Sequence, residues 1–156
     1  MLQTKERVKR TKNAEQALSS LMRLCARAER SSGDARRLMA TWGVPEQDRE
    51  KVLQRLIAER FIDDERYAAE YIRCYCESRS KRRIMQDLFV KGISKDVAES
   101  AWMHHEALNE VVDEVAQIKE LLRKKQFDAV GADRKETAKV MNYLYRKGYS
   151  TENIMY

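Results

Sequence analysis

The chain has 156 residues, of which 43% are hydrophobic and 36% charged, and its formal net charge is +6. That balance can bury only a thin core under a large charged surface, which suits one domain or a short array of small ones. Five glycines and a single proline, Pro45, are too little turn chemistry for a protein of many short strands. No apolar run approaches the roughly 20 residues that span a bilayer.

In chain order, the first segment is a basic tail over 1–12, with Lys5, Arg7, Lys9, Arg10 and Lys12 against one acid, Glu6. Such a tail reads as a flexible solvated arm or as an arm that binds anions. It lacks the apolar stretch of a signal peptide. Cys25, Cys74 and Cys76 are an odd number of cysteines in helical contexts, so free thiols in a reducing compartment are expected, and with them a cytoplasmic protein.

Apolar residues then recur at three- and four-residue steps almost throughout. The periodicity predicts helices near 13–29, 32–42, 46–60, 64–78, 81–91, 95–104, 106–126, 134–147 and 151–156. The longest stripe is Leu108, Val111, Val112, Val115, Ile118, Leu121 and Leu122, and the segment Phe127–Asp133 reads as a longer loop. A self-similarity runs through this order. Ala35, Met39, Gly43 and Val44 form a pattern repeated by Ile84, Leu88, Gly92 and Ile93, and again by Val140, Leu144, Gly148 and Tyr149, with glycines 49 and 56 residues apart. Glycine just past a helix adopts a left-handed conformation without a Cβ penalty, and the apolar residue after it folds back on the last turn. Ser94 and Ser150 are placed to start the next helix in the second and third units, with Pro45 near that place in the first. The expectation is an all-α protein of about nine helices in tandem three-helix repeats, over 13–62, 63–105 and 106–156, elongated and curved, with a short last helix.

Two segments concentrate charge. In Phe61-Ile62-Asp63-Asp64-Glu65-Arg66-Tyr67-Ala68-Ala69-Glu70-Tyr71, three consecutive acids suggest metal binding, but a structural reading is stronger. Asp63 is a good N-cap, Asp64 and Glu65 then lie in the positive first turn, and Arg66 can pair with them or with a neighbouring helix. Tyr67 and Tyr71 share a face and are expected to pack inward with Phe61. In Arg79-Ser80-Lys81-Arg82-Arg83, Ser80 is the expected N-cap, which puts cations where the helix dipole disfavours them. Either this is a solvated basic face or the site receives anions. Arg36 and Arg37 are read at the matching place in the first repeat, and Lys135 and Lys139 in the third.

Catalytic and metal chemistry find little support. Cys74 and Cys76, two apart, diverge on a helix, as do the adjacent His104 and His105, and structural zinc sites need four converging ligands. Nucleotide fingerprints and a nucleophile elbow are lacking. No cofactor or metal is expected, and the protein is not expected to be an enzyme. Trp42 and Trp102 read as packing anchors.

The motif Phe61-Ile62-Asp63-Asp64-x-Arg66-Tyr67-Ala68-x-x-Tyr71, continued by Ser78-Arg79-Ser80-Lys81-Arg82-Arg83-Ile84-x-x-x-Leu88-x-x-Lys91-Gly92-Ile93, resembles the most characteristic stretch of the RecX family. Ser31 through Val44 and Arg146-Lys147-Gly148-Tyr149-Ser150 look like its opening and closing repeats. The resemblance implies stacked three-helix, helix-turn-helix-like units and a regulator that binds the RecA nucleoprotein filament and modulates its ATPase and strand exchange. It also implies weak affinity for single- and double-stranded DNA. Contacts with RecA or DNA are then expected from Arg36, Arg37, Arg79, Lys81, Arg82, Arg83, Lys91, Lys135, Lys139, Arg146 and Lys147. The motif residues Phe61, Asp63, Asp64, Arg66, Tyr67, Tyr71, Gly43, Gly92 and Gly148 are expected to be mainly structural. Trp42 stands where the family often has a basic residue before the glycine. The expected molecule is a monomer that does not enter membranes. A competing reading is a direct DNA-binding repressor, which would dimerise on a two-fold site.

Overall fold

The structure, a computed structural model, describes residues 11–108 and 113–154. The basic tail therefore lies outside the described residues apart from Thr11 and Lys12, as do Val111 and Val112 of the longest apolar stripe and the last two residues of the helix expected over 151–156. Among the described residues there are nine helices and no strand. They are α1 (Ala14–Arg27), α2 (Ser32–Thr41), α3 (Glu46–Ala58), α4 (Asp64–Tyr75), α5 (Lys81–Val90), α6 (Lys95–Leu108), α7 (Glu114–Lys124), α8 (Arg134–Arg146) and α9 (Thr151–Ile154). None is long and apolar enough to cross a membrane.

The boundaries follow the local chemistry. Asn13, Ser31 and Asp133 each close a reciprocal capping box with the residue three positions on, Gln16, Asp34 and Glu136. Gly43, Gly92 and Gly148 all have positive φ, at 69°, 78° and 91°. Around Gly43 the closing bonds are those of a Schellman motif: Val44 N donates to Met39 O at 3.0 Å and Gly43 N to Ala40 O at 3.1 Å. Tyr149 N and Gly148 N repeat this with Leu144 O and Tyr145 O. In both cases the residue after the glycine is fully buried, Val44 against Met39 in one cluster and Tyr149 against Leu144 in another.

One expected helix, 106–126, differs. Helix α6 runs on to Leu108, and α7 starts afresh after Asp113. Asp113 is extended and its carboxylate accepts from Val115 N and Ala116 N at 3.0 and 3.2 Å, which is an N-cap. The sequence reading, with helices over 95–104 and 106–126, put their boundary earlier than the Asp113 cap, because the apolar stripe keeps its period past residue 105.

The chain divides into two compact units, with the boundary just inside α4: residues up to Tyr67 together with Lys91–Ile93 form one, and Ala68–Val90 with Ser94 onward the other. In the first, Ala17 and Leu21 of α1, Ala35 and Met39 of α2, and Val52, Leu53 and Leu56 of α3 make a buried cluster with Val44 and Ile62, against which Phe61 and Trp42 pack. In the second, Ile118, Leu144 and Tyr149 anchor α7, α8 and α9, and Ile84, Leu88, Ala98 and Trp102 are buried along α5 and α6.

Candidate interaction surface

The basic start of α5 is the densest cluster of cations singled out in the sequence, and its geometry begins with Ser80. That residue is 2% exposed, and its hydroxyl accepts from Arg83 N at 3.2 Å, as an N-cap should. Two more N–H groups at this end are engaged: Ser80 N donates to Lys147 O at 3.3 Å, and Lys81 N to Glu114 Oε1 at 3.4 Å. The guanidinium groups then reach the closing turn of α8. Arg83 Nη1 donates to Arg146 O at 2.8 Å, and Arg82 Nε to Gly148 O at 3.3 Å. A helix C-terminus presents unsatisfied carbonyls and the negative end of a dipole. Cations at the start of α5 are thus matched to the end of α8, which offsets the dipole cost they carry on their own helix.

Asp87, which the sequence did not single out, organises the rest. Its carboxylate accepts from Tyr71 Oη at 2.9 Å, Arg79 Nη1 at 2.8 Å and Arg83 Nε at 2.9 Å, with its side chain 17% exposed. Arg79 also donates to Tyr71 Oη at 2.7 Å and lies 4.0 Å from the Tyr75 ring centre. Burial, then the hydrogen bond and charge of Asp87, push the Tyr71 phenol up to about 12. Arg79 and Arg83 are therefore held by internal partners. Lys81 and Arg82 are exposed, with Arg82 5.8 Å from the exposed Tyr145 ring.

The other basic residues fall elsewhere. Arg36 is exposed on α2 and pairs with Glu50 at 3.5 Å, while Arg37 and Lys91 both approach the buried Asp34. Lys135, Lys139 and Arg146 are exposed on α8, and Lys147 Nζ stands 5.1 Å from the Tyr143 ring centre. By the glycine spacing Lys135 and Lys139 correspond to Arg79 and Arg83, whereas Arg36 and Arg37 do not. Arg82 is the second residue of α5, whereas Arg36 is the fifth of α2. The glycine spacing itself aligns Arg83 with Asp34 and Lys139.

The acidic motif lies at the start of α4 and against α2. Asp63 accepts from Arg66 N at 3.1 Å as the N-cap of α4. Arg66 pairs with Glu29 at 2.7 Å and donates to the carbonyls of Arg60 and Phe61. Asp64 turns to α2, accepting from Ser32 N at 2.8 Å and from its hydroxyl. No sequence signal marks that pairing across 32 positions. Among the described residues no group of three or more His, Cys, Asp or Glu converges to hold a metal. The three cysteines are free, and burial pushes the Cys25 and Cys76 thiols up, away from reactive thiolate.

Helices closed by left-handed glycines, with cations of one helix reaching the carbonyls that close another, define a helical-repeat protein. Comparison with known proteins specifies it further. The second three-helix domain of RecX matches residues 63–101 and the third matches 112–156, together more than half of the chain. The chain belongs to the RecX family. The regulatory protein RecX of Vibrio vulnificus is 28% identical over 137 residues, covering 86% of each chain. That of Serratia proteamaculans is 32% identical over 110 residues, covering 67% of this chain and 60% of the relative. The crystal structure of RecX from Lactobacillus salivarius superposes with a TM-score of 0.66 at 20% identity, covering 90% of this chain and 91% of that one, a likeness of fold. Its relatives are regulatory proteins, and so is the role of this chain.

Proposed function

We propose that this protein binds the RecA nucleoprotein filament and restrains its ATP hydrolysis and strand exchange, without catalysing a reaction itself. The observation that carries this reading is the match of two successive RecX domains in their family order. Exposed cations on separate helices support it: Arg36 on α2, Lys81 and Arg82 on α5, and Lys135, Lys139 and Arg146 on α8. Each is a weak contact in water, and several acting together sum to useful affinity. The same cations give weak, salt-sensitive binding to single- and double-stranded DNA. Arg79 and Arg83, tied to Asp87, serve the fold that displays them. The protein acts as a monomer in the cytoplasm.

Co-sedimentation with RecA assembled on single-stranded DNA tests this. The protein should pellet with the filament, and reversal of both Lys81 and Lys135 to Glu should weaken that association more than loss of the tail cations Lys9 and Arg10. Absence from the pellet at low salt would contradict the reading.

A further inference from the structure

Of the tail cations, Lys12 falls within the described residues, and it is fixed at three points. Its N–H donates to Trp42 O at 2.9 Å, which ties it to the closing turn of α2. Its ammonium donates to Ser20 Oγ at 2.8 Å and stands 3.9 Å from the Trp42 ring centre. From the next turn of α1, Arg23 Nη2 approaches the same serine oxygen at 3.4 Å. Two cations thus converge on one hydroxyl.

Ser20 is 8% exposed. Lysine and arginine offer donors and no acceptor, so the serine oxygen accepts from both and its own proton goes to neither. Among the described residues no acceptor meets that proton, the carbonyl one turn back on α1 included. The charge is unbalanced too. Lys12, Ser20 and Arg23 line a cleft of about 540 Å³, ample for a phosphate group, and Glu15 lines it as well. Among the described residues neither cation forms an ion pair, with Glu15 or with any other acid.

An ammonium, a guanidinium and a hydroxyl proton, converging with no acid paired to them, are the donors that a tetrahedral oxyanion accepts from. The sequence just before them adds Lys5, Arg7, Lys9 and Arg10, which favours a polyanion over an isolated ion. Ser20 lies below the surface, where a flexible single strand can reach and a stiff duplex cannot bend to follow. We propose that Lys12, Ser20 and Arg23 form a phosphate site that seats one backbone phosphate of single-stranded DNA. This rests on the DNA affinity proposed above and gives it a fixed place, outside the residues matched by the two RecX domains.

The test titrates an oligothymidylate into the full isotope-labelled chain, beside a titration of inorganic phosphate. Saturable shifts are expected at the Ser20 and Arg23 amides and the Trp42 indole with the oligonucleotide, and only at far higher concentration with inorganic phosphate. Ser20→Ala changes no charge and places a good helix former in α1, yet it should weaken oligonucleotide binding about three-fold. Arg23→Gln should weaken it about five-fold. Arg27→Gln removes the same charge from an exposed place on the same helix, and should change it less than about two-fold. Oligonucleotide binding that leaves these signals unmoved would overturn the site alone and spare the DNA reading, whereas no binding at all would overturn both. The site is equally overturned if Ser20→Ala is silent while Arg23→Gln and Arg27→Gln cost the same, or if inorganic phosphate fills it and the oligonucleotide does not.

Discussion

Asp63 and Asp64 are neighbours with different partners, and substitution separates them. Asp63 caps its own helix, a task Asn performs equally well, so Asp63→Asn should change the unfolding free energy by less than about 0.3 kcal/mol. Asp64 accepts from both the backbone and the hydroxyl of Ser32, so Asp64→Ala should cost about 1–2 kcal/mol in a urea melt. Equal losses would mean that the Asp64–Ser32 contact does not hold the start of α2. The first role was legible in the sequence because a cap and its target lie three residues apart. The second was not, since local chemistry carries no record of which helix lies alongside. Two phenols give a further residue-scale prediction. Tyr71 and Tyr149 are both raised from 10.0 to about 12, by burial first and then by Asp87 in one case and the charge of Glu114 in the other. A folded value above the unfolded one favours the folded state fully below pH 10, and this contribution is lost as pH rises from 10 through 12. Phenolate absorbance should therefore show two late-titrating tyrosines, one removed by Tyr71→Phe and one by Tyr149→Phe. Titration of all tyrosines together near 10 would contradict the burial described.

At the scale of elements, the glycine turns were legible as helix ends because φ and capping are local properties. That they are also contact points was not. Gly92 has a φ of 78° and stands where a Cβ would come within 2.8 Å of the Gly33 Cα, so two penalties coincide there. Gly92→Val should cost about 2–4 kcal/mol, from backbone strain and overpacking. Gly33, whose φ is ordinary, isolates the second effect, and Gly33→Ala should cost about 1–3 kcal/mol. An unchanged melting curve for Gly33→Ala would mean that α2 and the Lys91–Gly92 turn are not in close contact. The cations of α5 make the same point from the side of charge. Their unfavourable place on the dipole was readable at Lys81, Arg82 and Arg83. What they face, the carbonyls closing α8 and the carboxylate of Asp87, required the fold. The place of the boundary between α6 and α7 was hidden for a related reason, since Asp113 begins a helix without disturbing the apolar period.

For the whole molecule, sequence and structure give a family and a regulatory role, and the proposed target of that role is the RecA filament. Charge complementarity predicts that any restraint on the filament weakens as salt rises, because exposed cations such as Lys81 and Lys135 are screened within a Debye length of about 8 Å at physiological ionic strength. The most direct measurement is the rate of ATP hydrolysis by RecA assembled on single-stranded DNA, followed while this protein is titrated at low salt. Hydrolysis should slow at concentrations of this protein below that of the recombinase, and recover as salt is added. A rate that stays constant across a broad titration at low salt, with the protein folded, would contradict the account.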